Sequence, residues 1–221
     1  MKKGFTLAEV LITLAIIGVV AALTIPAIVA KYNQHAQYTQ FMKSYNTLLT
    51  ALSLSIAENG NPNTWTIDDS DKQGSFDKYF GKYLKIQKYC TKNASSCGIG
   101  ENTTLKFLNS ETPTGISLYS QINSVDTALI LQDGTIIMSW VHAPLFQFFV
   151  DTNGIKGPNT LGRDFFDLSM TDENGKYTLG VFSNNLENLK TGSKYENCTT
   201  TIESWGNGCA ARLLTEGKMN Y

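Results

Sequence analysis

Met1-Lys2-Lys3-Gly4-Phe5-Thr6-Leu7-Ala8-Glu9, continuing as VLITLAIIGVVAALTIPAIVAKY to Tyr32, is the stretch that decides how the rest of the chain is read. Two lysines and Gly4 lead into about 26 residues, Phe5 to Ala30, that carry one charge, Glu9. An apolar run of that length can span a hydrocarbon core. The carboxylate inside it is the anomaly. A charge near the centre of a membrane helix costs roughly 2.5–3.5 kcal/mol on insertion scales, and Glu9 lies nearer one end. An ionisable group within such a run is a functional hypothesis by default.

The order Gly4-Phe5-Thr6-Leu7-Ala8-Glu9 resembles the N-terminus of type IV pilins and of the pseudopilins of type II secretion. Pro26 also stands where many members carry a helix-loosening proline. The resemblance is specific over residues 1–30 and fades beyond residue 58. It implies that a prepilin peptidase cuts between Gly4 and Phe5 and then methylates the new amine of Phe5. It also implies a pilin-like α+β fold, in which a long N-terminal helix packs on an antiparallel β-sheet beside disulfide-stapled loops. The expected divisions are a leader (1–4), a transmembrane or fibre-core helix (5–30), an amphipathic helix half (31–58) and a globular head (59–221). Expected partners are the peptidase, other pilin or pseudopilin subunits, an inner-membrane assembly platform and the membrane itself. The expected place is the bacterial inner membrane, single-pass, with the head outside the cytoplasm; once assembled, a periplasmic or cell-surface fibre.

Physical chemistry gives Glu9 a role of its own in that setting. Cleavage leaves Phe5 as a cationic N-terminus one helical turn from Glu9. In a bundle of identical helices, the amine of one copy meets Glu9 of the copy already in place. An unpaired buried charge is costly, and pairing relieves it. A copy one turn out of register leaves both charges unmet, so the pair sets axial register more than it adds stability. Two other readings share parts of the stretch. A secretory signal peptide has the basic start and apolar run, with a loose site at Val20-Ala21-Ala22, but the run is long for an h-region and Glu9 interrupts it. A plain membrane anchor needs only the length.

Beyond Ala30 the chain turns polar but keeps helical period. Tyr38, Phe41, Met42, Tyr45, Leu48, Leu49, Leu52 and Ile56 form one apolar stripe, and Asn59-Gly60-Asn61-Pro62 stops the helix. Unbroken from Phe5 to Glu58, it would be about 80 Å long. Gly18 and Pro26 weaken it. The resemblance implies local melting there on assembly, and a fixed kink at the membrane edge is the alternative.

Net charge is −1 and only 17% of residues are charged, so composition offers no electrostatic footprint for nucleic acid. Lys82, Lys85 and Lys88 beside Tyr83 and Tyr89 read as a solvated face. Four cysteines allow three connectivities. Short loops close most easily, which favours Cys90–Cys97 and Cys198–Cys209. Neither spacing suits zinc, and disulfides imply an oxidising compartment.

In the head, residues 61–103 read as loop-rich, with a short helix or strand edge over Phe76–Leu84. Strands are expected at Thr104–Leu108, Gly115–Ser120, Phe146–Asp151, Asp164–Met170 and Tyr177–Phe182. The clearest signal is a hairpin, Thr127–Gln132 and Thr135–Trp140 about Asp133-Gly134. The Tyr45–Ile56 stripe should cover one face of this sheet. Gly208–Gly217 reads as a short helix and Lys218–Tyr221 as a last strand.

The segment from Asp151 to Asp164 has the hard oxygens and turn glycine that open calcium loops, with Asp151, Asn153, Ile155 and Asp164 as candidate ligands. It departs from the EF-hand pattern, and a turn whose side chains bond their own backbone is the plain alternative. Some pseudopilins bind calcium in such a loop. No cofactor is required otherwise. Only His35 and His142 are available, no Walker, G-x-S-x-G or H-E-x-x-H motif occurs, and no enzyme is expected. Two functions remain: a structural subunit of a pilus or secretion pseudopilus, leaning to a minor or pseudopilin-like one, or a membrane-anchored periplasmic binding or adhesion domain that never polymerises. The N-terminus separates them. It is a methylated Phe5 in the first case, and Met1 or a site after Ala22 in the second.

Overall fold

A computed structural model describes residues 4–90, 94–108, 117–142, 145–173, 175–181, 198 and 208–221. The first element, helix α1 (Leu7–Asn59), holds Pro26 inside it. The chain divides into two units, Met1–Ala36 and Gln37–Tyr221. Within the first unit α1 has no core: the large apolar side chains from Phe5 to Val29 stand between 41% and 89% exposed.

In the second unit α1 changes character. Phe41, Leu48, Ala51 and Leu52 recur at helical spacing and are buried, together with Ser44 and Ser55. Gly60, at φ 77°, takes the left-handed position that ends the helix, and its N–H reaches Ile56 O at 3.0 Å. A turn of 3-10 helix (Pro62–Thr64) and helix α2 (Lys72–Tyr79) follow. Asp71 caps α2 by accepting from Gly74 N at 2.9 Å.

Among the described residues the sheet is a six-stranded antiparallel meander, in spatial order β1 (Ile86–Tyr89), β2 (Thr127–Leu131), β3 (Ile136–His142), β4 (Leu145–Asp151), β5 (Phe165–Glu173) and β6 (Lys176–Gly180). The β2–β3 hairpin turns at Asp133-Gly134, with Gly134 at φ 91° and register Ile130↔Ile136 and Ala128↔Met138. Alternation then sorts the side chains. Leu129, Ile137, Phe146, Phe148, Val150, Phe166, Leu168 and Met170 join the α1 stripe, Trp65, Phe76, Tyr79 and Phe80 in the main core. Phe41 packs on Phe166 at 4.5 Å between ring centroids, and Trp65 stacks on Tyr79 at 4.3 Å.

The opposite face is buried as well, where the sequence pointed only to one covered face. Ala128, Ile136, Met138, Phe149 and Phe165 form a second core with Leu118, Ile122 and the first disulfide. Part of its cover is helix α3 (Leu118–Ser124), which lies where a strand over Gly115–Ser120 was expected. Ser117 Oγ accepts from Ser120 N at 2.9 Å, so the serine caps a helix. Leu118 and Ile122, one turn apart, then point the same way. Residues 115 and 116 lie outside the described residues.

Three further expectations change. Thr104–Leu108 makes only isolated bridges, Thr104↔Ser117 and Lys106↔Thr160. Residues 61–103 hold a strand, β1, that pairs with β2. Residues 218–221 form no strand. They follow helix α4 (Cys209–Glu216), which Gly217 closes at φ 68°, and side chains hold them: Tyr221 Oη donates to Gly162 O at 2.6 Å. Phe182, the expected end of the last strand, lies outside the described residues. Both disulfides are local, Cys90–Cys97 and Cys198–Cys209.

Candidate functional site

Two places gather the residues that the sequence singled out. The first is the start of α1. Thr6 sits just before the helix, and Glu9 is its third residue. Glu9 Oε2 accepts from Thr6 N and from Thr6 Oγ1, each at 2.8 Å, and Glu9 N donates to Thr6 Oγ1 at 3.3 Å. This is a capping box, in which two backbone N–H groups that the helix cannot satisfy are met by side chains. The acidic group also lies at the positive end of the helix dipole. The sequence shows Thr6 within the Gly4–Glu9 order, and its capping role is carried by Thr-x-x-Glu before an apolar run, the capping-box pattern. The consequence is chemical. Glu9 has a partner in its own chain, so its carboxylate is already oriented.

Gly4 and Phe5 precede the helix and are exposed, Phe5 at 89%. Gly18 and Pro26 are both helical. A side chain built at Gly18 would meet nothing within 4 Å, so this position presents bare backbone on an apolar surface. The helix is long and apolar enough to cross a membrane.

The second place is the connection from β4 to β5. Asp151, the last residue of β4, and Asp164, just before β5, are both fully buried. Asp164 is saturated by its own loop. Its Oδ2 accepts from Asn153 Nδ2 and Asn159 N, each at 3.0 Å, and its Oδ1 accepts from Thr160 N. Burial pushes its carboxyl above the usual range, against the pull of these donors. Asp151 is held less completely. Its Oδ1 accepts from Asn153 N at 3.3 Å, whereas Oδ2 is buried with no hydrogen-bond partner. Burial, and then the neighbouring charge of Asp164, push Asp151 well above the usual carboxylate range.

Two more oxygens of this loop share that condition, Asn153 Oδ1 and Asn159 Oδ1. The amide of Asn153 is oriented by its nitrogen, which serves Asp164 and Gly157 O, so its oxygen is turned away from both. Asn159 adopts φ 52°, a left-handed conformation that asparagine tolerates better than most residues. Three buried oxygens without donors in one loop call for an explanation, and hard oxygens of this kind suit a calcium or magnesium ion. The structure therefore divides the four residues read from the sequence. Asp151 and Asn153 present open oxygens, and Asp164 spends its own on loop N–H groups. Ile155 is 54% exposed, and its apolar side chain leaves only the backbone carbonyl with the chemistry of a ligand. Asn159 joins them, and nothing in sequence spacing marks it apart from its neighbours. Among the described residues no group of three or more His, Cys, Asp or Glu side chains gathers as a metal site.

Comparison with known proteins bears on the first place. Residues 1–25 match the prokaryotic N-terminal methylation motif, and residues 27–156 match a family described as of unknown function (DUF6613). A fimbrial protein of Dichelobacter nodosus is 34% identical over 103 residues, 46% of this chain and 61% of that protein. The type IV major fimbrial protein FimA of Dichelobacter nodosus strain VCS1703A is 33% identical over 100 residues, 45% and 59% of the two chains. The chain thus spans about three fifths of the length of the curated relatives it matches. No solved structure matches significantly.

Proposed function

The chain belongs to the family of unknown function DUF6613, behind a prokaryotic N-terminal methylation motif, and from that premise we propose that it is a structural subunit of a type IV pilus-like or type II secretion pseudopilus fibre. A prepilin peptidase removes residues 1–4 and methylates Phe5. The apolar part of α1 holds the subunit in the inner membrane until an assembly platform moves it into the fibre. The observation that carries this reading is the apolar surface of Phe5–Val29, which finds no core within its own unit. Lipid covers such a surface before assembly, and copies of the same helix cover it afterwards. Two disulfides accord with a head outside the cytoplasm.

Glu9 selects the register of the incoming copy. Thr6 keeps the carboxylate oriented and partly satisfied in the lipid-held subunit. The cationic amine of the next subunit then supplies the opposite charge, a stronger partner than a neutral donor. Mass spectrometry of the N-terminal peptide tests the scheme. The expected peptide begins at Phe5 and carries a methyl group on its amine. A peptide beginning at Met1, or after Ala22, contradicts it and leaves a tethered domain that does not polymerise.

The β4–β5 loop adds a cofactor to this reading, a calcium ion held by Asp151 Oδ2, Asn153 Oδ1 and Asn159 Oδ1, with backbone carbonyl and water oxygens completing the shell. One carboxylate and two neutral amides make a site of low charge, which belongs with the weak extracellular class of roughly 10⁻⁴–10⁻³ M dissociation constants. Millimolar calcium should therefore raise the Tm of EDTA-treated protein. An unchanged Tm ends the cation reading and leaves the fibre reading intact.

A further inference from the structure

The loop between β4 and β5 touches parts of the head that are distant in sequence. At Gly154, φ 67°, a side chain would come within 2.5 Å of Gly134 O, so the loop packs backbone to backbone on the β2–β3 turn. Lys106 N donates to Asn159 O and Leu161 N donates to Lys106 O, each at 2.9 Å. Gly162 O accepts from Tyr221 Oη at 2.6 Å. Tyr221 in turn lies under Arg212, whose guanidinium carbon is 5.1 Å from the ring centroid. Arg212 donates to Cys198 O at 2.6 Å and to Asn220 Oδ1 at 3.1 Å. Cys198 is joined to Cys209 at the start of α4. One chain of contacts therefore runs from the loop to the second disulfide.

Residues 159–164 are tied together, because their hydrogen bonds close on one another. Asn159 N and Thr160 N are held by Asp164, Arg163 N and Asp164 N by Thr160 O, and Gly162 N by Phe165 O. These bonds connect Asn159 to Gly162. The three open oxygens are buried without a hydrogen-bond partner, and each such unmet group is a cost to the closed loop.

We propose that a divalent cation in the Asp151–Asn153–Asn159 site acts as a latch for the segment from Cys209 to Tyr221, through the Gly162–Tyr221 contact. The proposal rests on the cation reading of the loop. The ion meets the three unpartnered oxygens, fixes residues 159–164 and so presents Gly162 O to Tyr221. Linkage makes the effect reciprocal: whatever factor the ion gives to docking of Tyr221, docking gives to affinity for the ion.

The test uses the full chain in detergent, stripped with EDTA and titrated with calcium chloride by calorimetry, with hydrogen exchange followed over residues 209–221. The wild-type chain should bind calcium, and exchange across 209–221 should slow when it does. Tyr221→Phe, which removes only the hydroxyl, should bind calcium at least about fivefold more weakly, the low end of usual coupling, and its exchange over 209–221 should no longer respond. The wild-type exchange measurement stands alone if the variant is poorly folded. Calcium binding with unchanged exchange over 209–221 overturns the latch and leaves the cation site standing. An equal affinity in a folded Tyr221→Phe does the same. No binding to the wild-type chain removes the site and the latch together.

Discussion

The two units of this chain solve the same problem in opposite ways. From Gln37 onward, apolar side chains are buried by others of the same chain, on both faces of the sheet. Up to Ala36, side chains of equal hydrophobicity remain in the open, and the polar groups that matter bond within a single turn. The first arrangement is complete in one copy. On the proposed function, the second is completed by lipid or by other copies. A chain that leaves so long an apolar surface uncovered is built for a partner, because monomeric soluble proteins rarely expose large contiguous apolar patches.

Substitution is the direct way to break the contrast. Phe148 is fully buried, packed on Phe80 at 4.8 Å between ring centroids. Phe148→Ala should lower head stability by roughly 3–5 kcal/mol, read by near-UV circular dichroism on heating. Leu14→Ala, at a position 61% exposed, should leave the same transition unmoved. Equal effects at the two positions would erase the distinction.

A buried carboxylate sharpens it from the side of the head. Burial raises Asp167 to about 7, and the Gln147 amide, 3.1 Å from each carboxylate oxygen, offsets part of that rise. The folded state therefore favours the neutral form. Near pH 4 this group costs little. As pH rises toward 7 the unfolded chain ionises and the folded one does not, so stability falls by about 1.4 kcal/mol per unit across that window. Above pH 7 the loss is complete. Asp167→Asn should flatten the fall and raise Tm at pH 8 more than at pH 4. A parallel pH profile in the variant would assign the slope elsewhere.

The second disulfide gives a smaller effect of the same kind. Replacing both Cys198 and Cys209 by serine frees a loop with a sequence separation of 11. On chain-entropy grounds this should cost roughly 2–3 kcal/mol, measured by urea denaturation. No change in midpoint would mean that Arg212 and Tyr221 hold that segment unaided.

The sequence carries these two regions unequally. The apolar run, its single acid, the helix stop at Asn59-Gly60 and the Asp133-Gly134 hairpin all rest on local chemistry, and all could be read directly. The second covered face could not. Its cover comes partly from α3, seven residues long, whose Leu118 and Ile122 are too few to show a helical period, so that Gly115–Ser120 looks like a strand. The loop shows the same limit in finer detail. Asp151, Asn153 and Asp164 stand out by residue type, but only the fold says that Asp164 spends its oxygens on Asn153, Asn159 and Thr160. Tyr221 is invisible for a related reason, since its partner Gly162 is 59 positions away.

The most direct test lies at Glu9. Glutamine at this place still completes the capping box with Thr6, but it has no charge to offer an incoming amine. Glu9→Gln, expressed at wild-type level in cells that assemble the wild-type chain, therefore separates the local role from the intersubunit one. The account predicts a subunit that enters the membrane and is processed to Phe5, yet is missing from sheared or purified fibres. Fibres as abundant as wild type would contradict it and leave Glu9 as a helix cap alone.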